Sequence, residues 1–187
     1  LVIVGKSSTI IARTIAVQNI DSYTIRDRSR PKRDARVGML PPKLAQTIIN
    51  LVGLLPEHSV ILDPFCGTGV LLQEALLMRY DVTGTDLEPR MIAYSDANLE
   101  WAHERLGTEN AYMLAAGDAT THQWEPPIDA VACETYLGRA FTSTPTREVL
   151  EQTASDVNLI LKKFLRNIHP QLTPGARLCL AVPAWQI

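Results

Sequence analysis

The run Asp63-Pro64-Phe65-Cys66-Gly67-Thr68-Gly69 has the residue types of a turn that cradles a ligand. An acid ends an apolar segment. Two glycines permit a sharp bend and a close approach of the backbone. A helical segment follows, and its first N–H groups and positive end face whatever sits in the turn. The spacing is neither the GxGxxG of a dinucleotide turn nor the GxxxxGK[ST] of a phosphate loop. Seventeen residues beyond Gly69, Asp86 closes the next apolar segment, where a carboxylate can accept hydrogen bonds from both hydroxyls of a ribose. Asp118, within Ala116-Gly117-Asp118-Ala119, follows the third, where it can accept from an adenine amino group. The loop and its three acids describe a pocket for an adenosine-containing ligand.

Other chemistry is poorly supported. Gly5-Lys6-Ser7 lacks the upstream glycine of a phosphate loop and reads as a turn. His58, His103, His122 and His169 are dispersed, and Cys66, Cys133 and Cys179 form no CxxC pair, so no metal is expected. Neither Cys66 nor Cys133 follows a proline, and both read as packing residues. The odd, scattered cysteines exclude a disulfide framework and suit a reducing cytoplasm.

Elements must hold these residues at one end of a sheet. Short apolar runs are expected as strands at Ser59–Asp63, Asp81–Asp86, Ala111–Ala116, Ile128–Cys133 and Ala176–Val182. Between them fall helices over Val70–Tyr80 and Glu88–Leu106, and a long one beginning near Pro145. Pro41-Pro42 opens an earlier helix with Leu44, Ala45, Ile48, Leu51 and Val52 on one face and Gly53 at its end. Alternation of this kind predicts an α/β fold: a doubly wound parallel sheet with helices on both faces and ligands at the carboxyl ends of its strands. The sheet is expected to be truncated after its fifth strand.

The chain has 187 residues, 46% of them hydrophobic and 20% charged, which suits one globular domain. No apolar run is long enough to span a membrane. The opening Leu1-Val2-Ile3-Val4 lacks an initiator Met and a basic leader, so it reads as the start of an excised segment and not as a signal peptide. β-rich runs are expected at Leu1–Val4 and Ile10–Val17. The net charge is −2, yet the stretch from Arg26 to Arg36 carries +4, with Arg26, Arg28, Arg30, Lys32, Arg33 and Arg36 set against Asp27 and Asp34. Such a segment reads as either a phosphate-contacting arm or a solvated linker. Two regions follow: a β-rich linker with its basic arm over 1–36, and a ligand-binding domain over 37–187.

The loop Asp63–Gly69 resembles the first motif of S-adenosylmethionine-dependent methyltransferases. More narrowly, it is similar to the branch that makes N2-methylguanosine in tRNA, the guanine-10 enzymes whose catalytic domain follows an RNA-binding THUMP domain. Arg30-Pro31 and Gly38-Met39-Leu40-Pro41-Pro42-Lys43-Leu44-Ala45 resemble the segment that precedes that motif. The resemblance implies a Rossmann-like class I methyltransferase sheet, S-adenosylmethionine as cofactor, RNA (tRNA above all) as partner, and no metal or membrane. It implies that Asp63, Pro64, Phe65, Cys66, Gly67 and Gly69 line the methionine part of the cofactor. Asp86 with Leu87 would bind the ribose, and Asp118 with Ala119 would border the adenine. The basic residues would contact RNA phosphates.

That branch places Asp-Pro-Pro-Tyr or Asn-Pro-Pro-Tyr after the fourth strand. There an oxygen accepts from the target amine and the ring stacks on an extruded base. Here the position reads Cys133-Glu134-Thr135-Tyr136-Leu137-Gly138. Glu134 falls where the acid would be, both prolines are absent, and the aromatic comes one residue early. Loss of the prolines predicts a looser loop. Three readings follow: Glu134 and Tyr136 act as the catalytic pair on a guanine amine, the chain is an adenine-N6 or otherwise specialised methyltransferase, or it is a non-catalytic module that binds cofactor and RNA.

Overall fold

In a computed structural model of the chain, residues 2–34, 39–141 and 143–185 are described. β1 (Val2–Val4) and β2 (Thr9–Ile11) form an antiparallel hairpin, and the second strand is shorter than its β-branched run because the pairing ends at Ile11. The linker contains a helix that the sequence reading did not anticipate, α1 (Ile20–Arg28), capped by the Asn19 side chain accepting from the Ser22 N–H at 3.0 Å. Its sequence has no apolar stripe. Polar contacts to distant residues hold it in place, as described below.

α2 (Pro42–Val52) starts with proline at its first position and ends at Gly53. It buries Ala45, Ile48, Ile49 and Val52, whereas Leu44 and Leu51 are exposed. The buried face is therefore turned from the expected one by roughly one residue. Then follow β3 (Val60–Asp63), α3 (Val70–Leu77), β4 (Asp81–Asp86), α4 (Pro89–Leu106), β5 (Tyr112–Ala116), β6 (Ala130–Glu134), α5 (Arg147–Ile168) and β7 (Arg177–Ala181).

The last five strands form one parallel sheet in the order β5-β4-β3-β6-β7. Side chains alternate across it with the two-residue period of a strand. Ile61, Ala130 and Ala132 join the cluster under α2, α3 and α4, with Leu72, Leu76 and Leu99. Leu62, Val131 and Cys133 point to the other face and meet Phe164 and Ile168 of α5. Both faces are thus covered, which is why the strands read as continuous apolar runs. The chain winds outward from β3 through β4 to β5, returns to β6 beside β3, and winds the other way to β7. The carboxyl ends of β3 and β6 flank the reversal, and a crevice opens there. Among the described residues no helix is long and apolar enough to cross a membrane.

Candidate active site

The loop after β3 is fixed by its neighbours. The Cys66 N–H donates to the Thr85 carbonyl at 2.9 Å, the Gly67 N–H to Asp86 Oδ2 at 3.0 Å, and the Gly69 N–H to the Cys66 carbonyl at 2.8 Å. From α4, Ser95 Oγ donates to the Gly67 carbonyl and Asn98 Nδ2 to the Thr68 carbonyl, both at 2.8 Å. Gly69 has φ of +78°, and a Cβ there would lie 3.2 Å from the Ser95 Cα. Only glycine gives both the left-handed turn and this approach of α4. Gly69 therefore shapes the loop and starts α3.

The loop forms one wall of a cavity of about 940 Å³ at the strand ends. Asp63, Pro64, Phe65, Cys66 and Gly67 line it. Asp86 and Leu87 enter from β4, and Asp118 and Ala119 from the turn after β5. Glu134 and Tyr136 enter from the loop after β6. The structure thus brings together every residue singled out for cofactor or target except Gly69, which lies behind the loop.

Electrostatics differ among the acids. Both oxygens of Asp86 accept backbone N–H groups, Oδ2 from Gly67 and Oδ1 from Glu88 at 2.9 Å, which aims the carboxylate and leaves one lone pair on each oxygen. Asp118 is exposed and accepts from the Thr120 N–H at 2.8 Å, and that bond holds its carboxyl below the usual range. Asp63 is buried. Loss of water pushes its pKa up to about 8 against one backbone N–H bond from Phe65, and the charges of Asp86 and Glu134 push the same way. Burial also raises the carboxyl of half-buried Glu134. The thiols of Cys66 and Cys133 are raised well above normal by burial, which suits packing and not nucleophilic attack.

Sequence reasoning missed the wall supplied by α5. Asp156, Ile160 and Lys163 also line the cavity. Ile160 sits in an apolar stripe that reads as core. The core, however, takes Val157, Phe164 and Ile168, and the stripe between them spills into the cavity. No local signal marks that division.

The basic segment separates into two groups. Arg26 is buried, its Nε donates to Glu74 Oε1 at 2.9 Å, and its guanidinium lies 4.1 Å from the centre of the Tyr23 ring. Glu74 is fully buried and also accepts from Gln46 Nε2 at 2.8 Å. Arg30 is buried as well, and desolvation lowers its pKa. Arg26 fastens α1 to the domain, whereas the Arg30 guanidinium is buried without a hydrogen-bond partner among the described residues. Neither presents its charge to solvent, a correction to the reading of all six as one arm. Arg28, Lys32 and Arg33 are exposed. Arg36 lies outside the described residues. The Lys32 backbone is paired in both directions by the Asn98 amide, at 2.9 and 3.0 Å, so Lys32 runs beside the glycine loop that Asn98 also holds.

Arg26→Ala is expected to destabilise the fold by about 3–5 kcal/mol, because it strands the buried Glu74 without its charge partner. Urea unfolding checks this. A lowered midpoint with an unaltered m-value is the expected result.

Fold and site together define the class: a doubly wound α/β domain with a nucleoside-sized cavity at its topological switch point. The chain belongs to the RMKL-like, methyltransferase domain family, whose pattern matches residues 30–184. It is 29% identical over 176 residues to the tRNA (guanine(10)-N2)-dimethyltransferase of Methanothermobacter thermautotrophicus, covering 93% of this chain and 47% of that protein. It is 35% identical over 118 residues to the enzyme of the same name from Pyrococcus abyssi, covering 62% of this chain and 33% of that protein. The chain therefore spans less than half the length of these relatives. Among solved structures, TrmN from Thermus thermophilus superposes with a TM-score of 0.57 at 23% identity, covering 80% of this chain and 43% of that one. That likeness establishes the Rossmann-like fold.

Proposed function

We propose that this chain transfers a methyl group from S-adenosylmethionine to the exocyclic amine of a base in RNA, with guanine N2 in tRNA as the target. The observation that carries the proposal is the single cavity wall-to-wall between the glycine loop and Glu134. A donor held at the loop would lie beside an acceptor held at the acid. The family and the activity for which the two relatives are named support the same reading.

The residues fit the cofactor. Asp86 keeps two free lone pairs for ribose hydroxyls, and the turn at Asp118 and Ala119 borders the space beyond. Asp63 and the loop backbone take the amino-acid end. When bound, the sulfonium supplies an electrophilic methyl group, so the protein contributes chiefly alignment. Glu134, with a carboxyl of raised proton affinity, would accept a hydrogen bond from the target amine and take the proton that the nitrogen sheds as its N–C bond forms and the methyl–sulfur bond breaks, leaving a neutral thioether. Tyr136, 42% exposed on the cavity rim, offers its ring to an extruded base. Arg28, Lys32 and Arg33, joined by Arg36, supply cations to RNA phosphates. The free cysteines accord with action in a reducing cytoplasm.

Incubation with labelled cofactor and tRNA transcripts, followed by nucleoside analysis, tests the proposal. N2-methylguanosine is the expected product. N6-methyladenosine would favour the adenine-directed alternative. Absence of label in any RNA, from protein that binds cofactor, would favour a non-catalytic module.

The buried Asp63 adds a pH signature. Below about pH 8 the free protein holds the Asp63 proton. A cation bound beside it favours the carboxylate, so binding releases that proton. Affinity for S-adenosylmethionine is therefore expected to rise with pH up to about 8. Calorimetry near neutral pH in buffers of high and low ionisation enthalpy should give different heats, and Asp63→Asn should abolish the difference.

A further inference from the structure

The loop after β6 lacks both prolines, yet it is pinned at both ends. The Thr135 N–H donates to the Ala181 carbonyl at 3.0 Å and extends the β6–β7 ladder one residue past the Glu134–Ala181 pair. The Thr135 hydroxyl donates to that same carbonyl, also at 3.0 Å. Thr135 is 5% exposed, so these bonds are shielded from water. Three residues on, Gly138 has φ of +89°, and a Cβ there would lie 2.7 Å from Thr153 Cγ2 of α5. The loop thus leaves one anchor on β7 and lands on a second on α5. Between them Tyr136 and Leu137 stand half exposed over the cavity, directly after Glu134.

We infer that Thr135 is the positioning residue of this site: its double bond to the Ala181 carbonyl supplies, through hydrogen bonds, the loop order that ring constraint would otherwise give, and so holds Glu134 and Tyr136 in register with the target amine. A proline here could donate neither bond. Valine keeps the size of threonine and the backbone bond but loses the hydroxyl. Serine keeps the hydroxyl. The inference rests on the methyl-transfer reading, in which the orientation of Glu134 and Tyr136 limits the rate, since small misplacements cost about 10²-fold.

The test compares wild type, Thr135→Val and Thr135→Ser in the same 187-residue chain, with tRNA as substrate. In Thr135→Val, kcat is expected to fall by about 10–100-fold, with KM for RNA and Kd for S-adenosylhomocysteine within about 2-fold of wild type. Thr135→Ser should restore kcat. Hydrogen exchange over residues 134–138 should quicken in the valine variant and return toward wild type in the serine variant. Unchanged kcat in Thr135→Val, failure of serine to restore it, or a loss that tracks reduced cofactor affinity or Tm would overturn the inference. If wild-type protein transfers no methyl group, the reaction reading fails instead, and hydrogen exchange alone decides the latch: quicker exchange in valine than in serine supports it, and equal exchange overturns it.

Discussion

Glu134→Ala is expected to lower methyl transfer by about 10²–10⁴-fold, the range for loss of a positioned proton acceptor, while cofactor affinity stays within a few-fold of wild type. The reason is positional. Glu134 closes β6 at the cavity, in register with Ala181 on β7, and the acids proposed to hold the cofactor sit on β3, β4 and the turn after β5. Glu134→Gln separates the two duties of the carboxylate. The amide oxygen still accepts a hydrogen bond from the target amine but takes no proton, so activity between that of wild type and alanine would show that orientation accounts for part of the effect. A second consequence is electrostatic. The charge of Glu134 helps hold the Asp63 proton, so Glu134→Ala should move the pH range over which cofactor affinity rises to lower values. Single-turnover kinetics with calorimetry across pH reads both effects.

Asp86→Ala is expected to abolish measurable cofactor binding, with a loss of about 10²–10⁴-fold. Hydrogen bonds to a charged acceptor contribute about 1.5–3 kcal/mol each, and the variant removes the acceptor for both ribose hydroxyls. It also frees the N–H groups of Gly67 and Glu88, so the glycine loop loses its tie to β4. Asp86→Asn should fall between the two. Its oxygen satisfies one backbone N–H, but its amide nitrogen turns a donor toward the other. Titration calorimetry with S-adenosylhomocysteine measures the series. Retained affinity in the alanine variant would place the ribose elsewhere in the cavity.

These residues were legible because their signals are local. Asp63 and Asp86 each end a strand and Gly67 stands in the turn after the first, and a strand followed by a turn puts its last residue at the sheet edge wherever the rest of the chain goes. The five parallel strands were legible for the same reason: Ile61 and Leu62, or Ala132 and Cys133, serve opposite faces, so burial on both sides leaves a continuous apolar run. Where contacts join distant residues the sequence is silent. α1 is held by Arg26 on Glu74, 48 residues away, so its nine residues carry no apolar stripe to announce a helix. A run of arginines does not distinguish Arg26 and Arg30, which turn inward, from Arg28, Lys32 and Arg33, which do not. The expected looseness after β6 took account of the missing prolines. It could not take account of Thr135 meeting Ala181 across a sheet whose register is set only by folding.

The most direct test of the cavity's assignment is calorimetric titration of the wild-type chain with S-adenosylmethionine and S-adenosylhomocysteine, beside Asp86→Ala. Micromolar, one-to-one binding of both ligands, lost in the variant, is the predicted result. A cooperatively folded wild-type protein that binds neither ligand would contradict the account at its base, because Glu134, Tyr136 and Thr135 have a role only if a methyl donor occupies the space beside them.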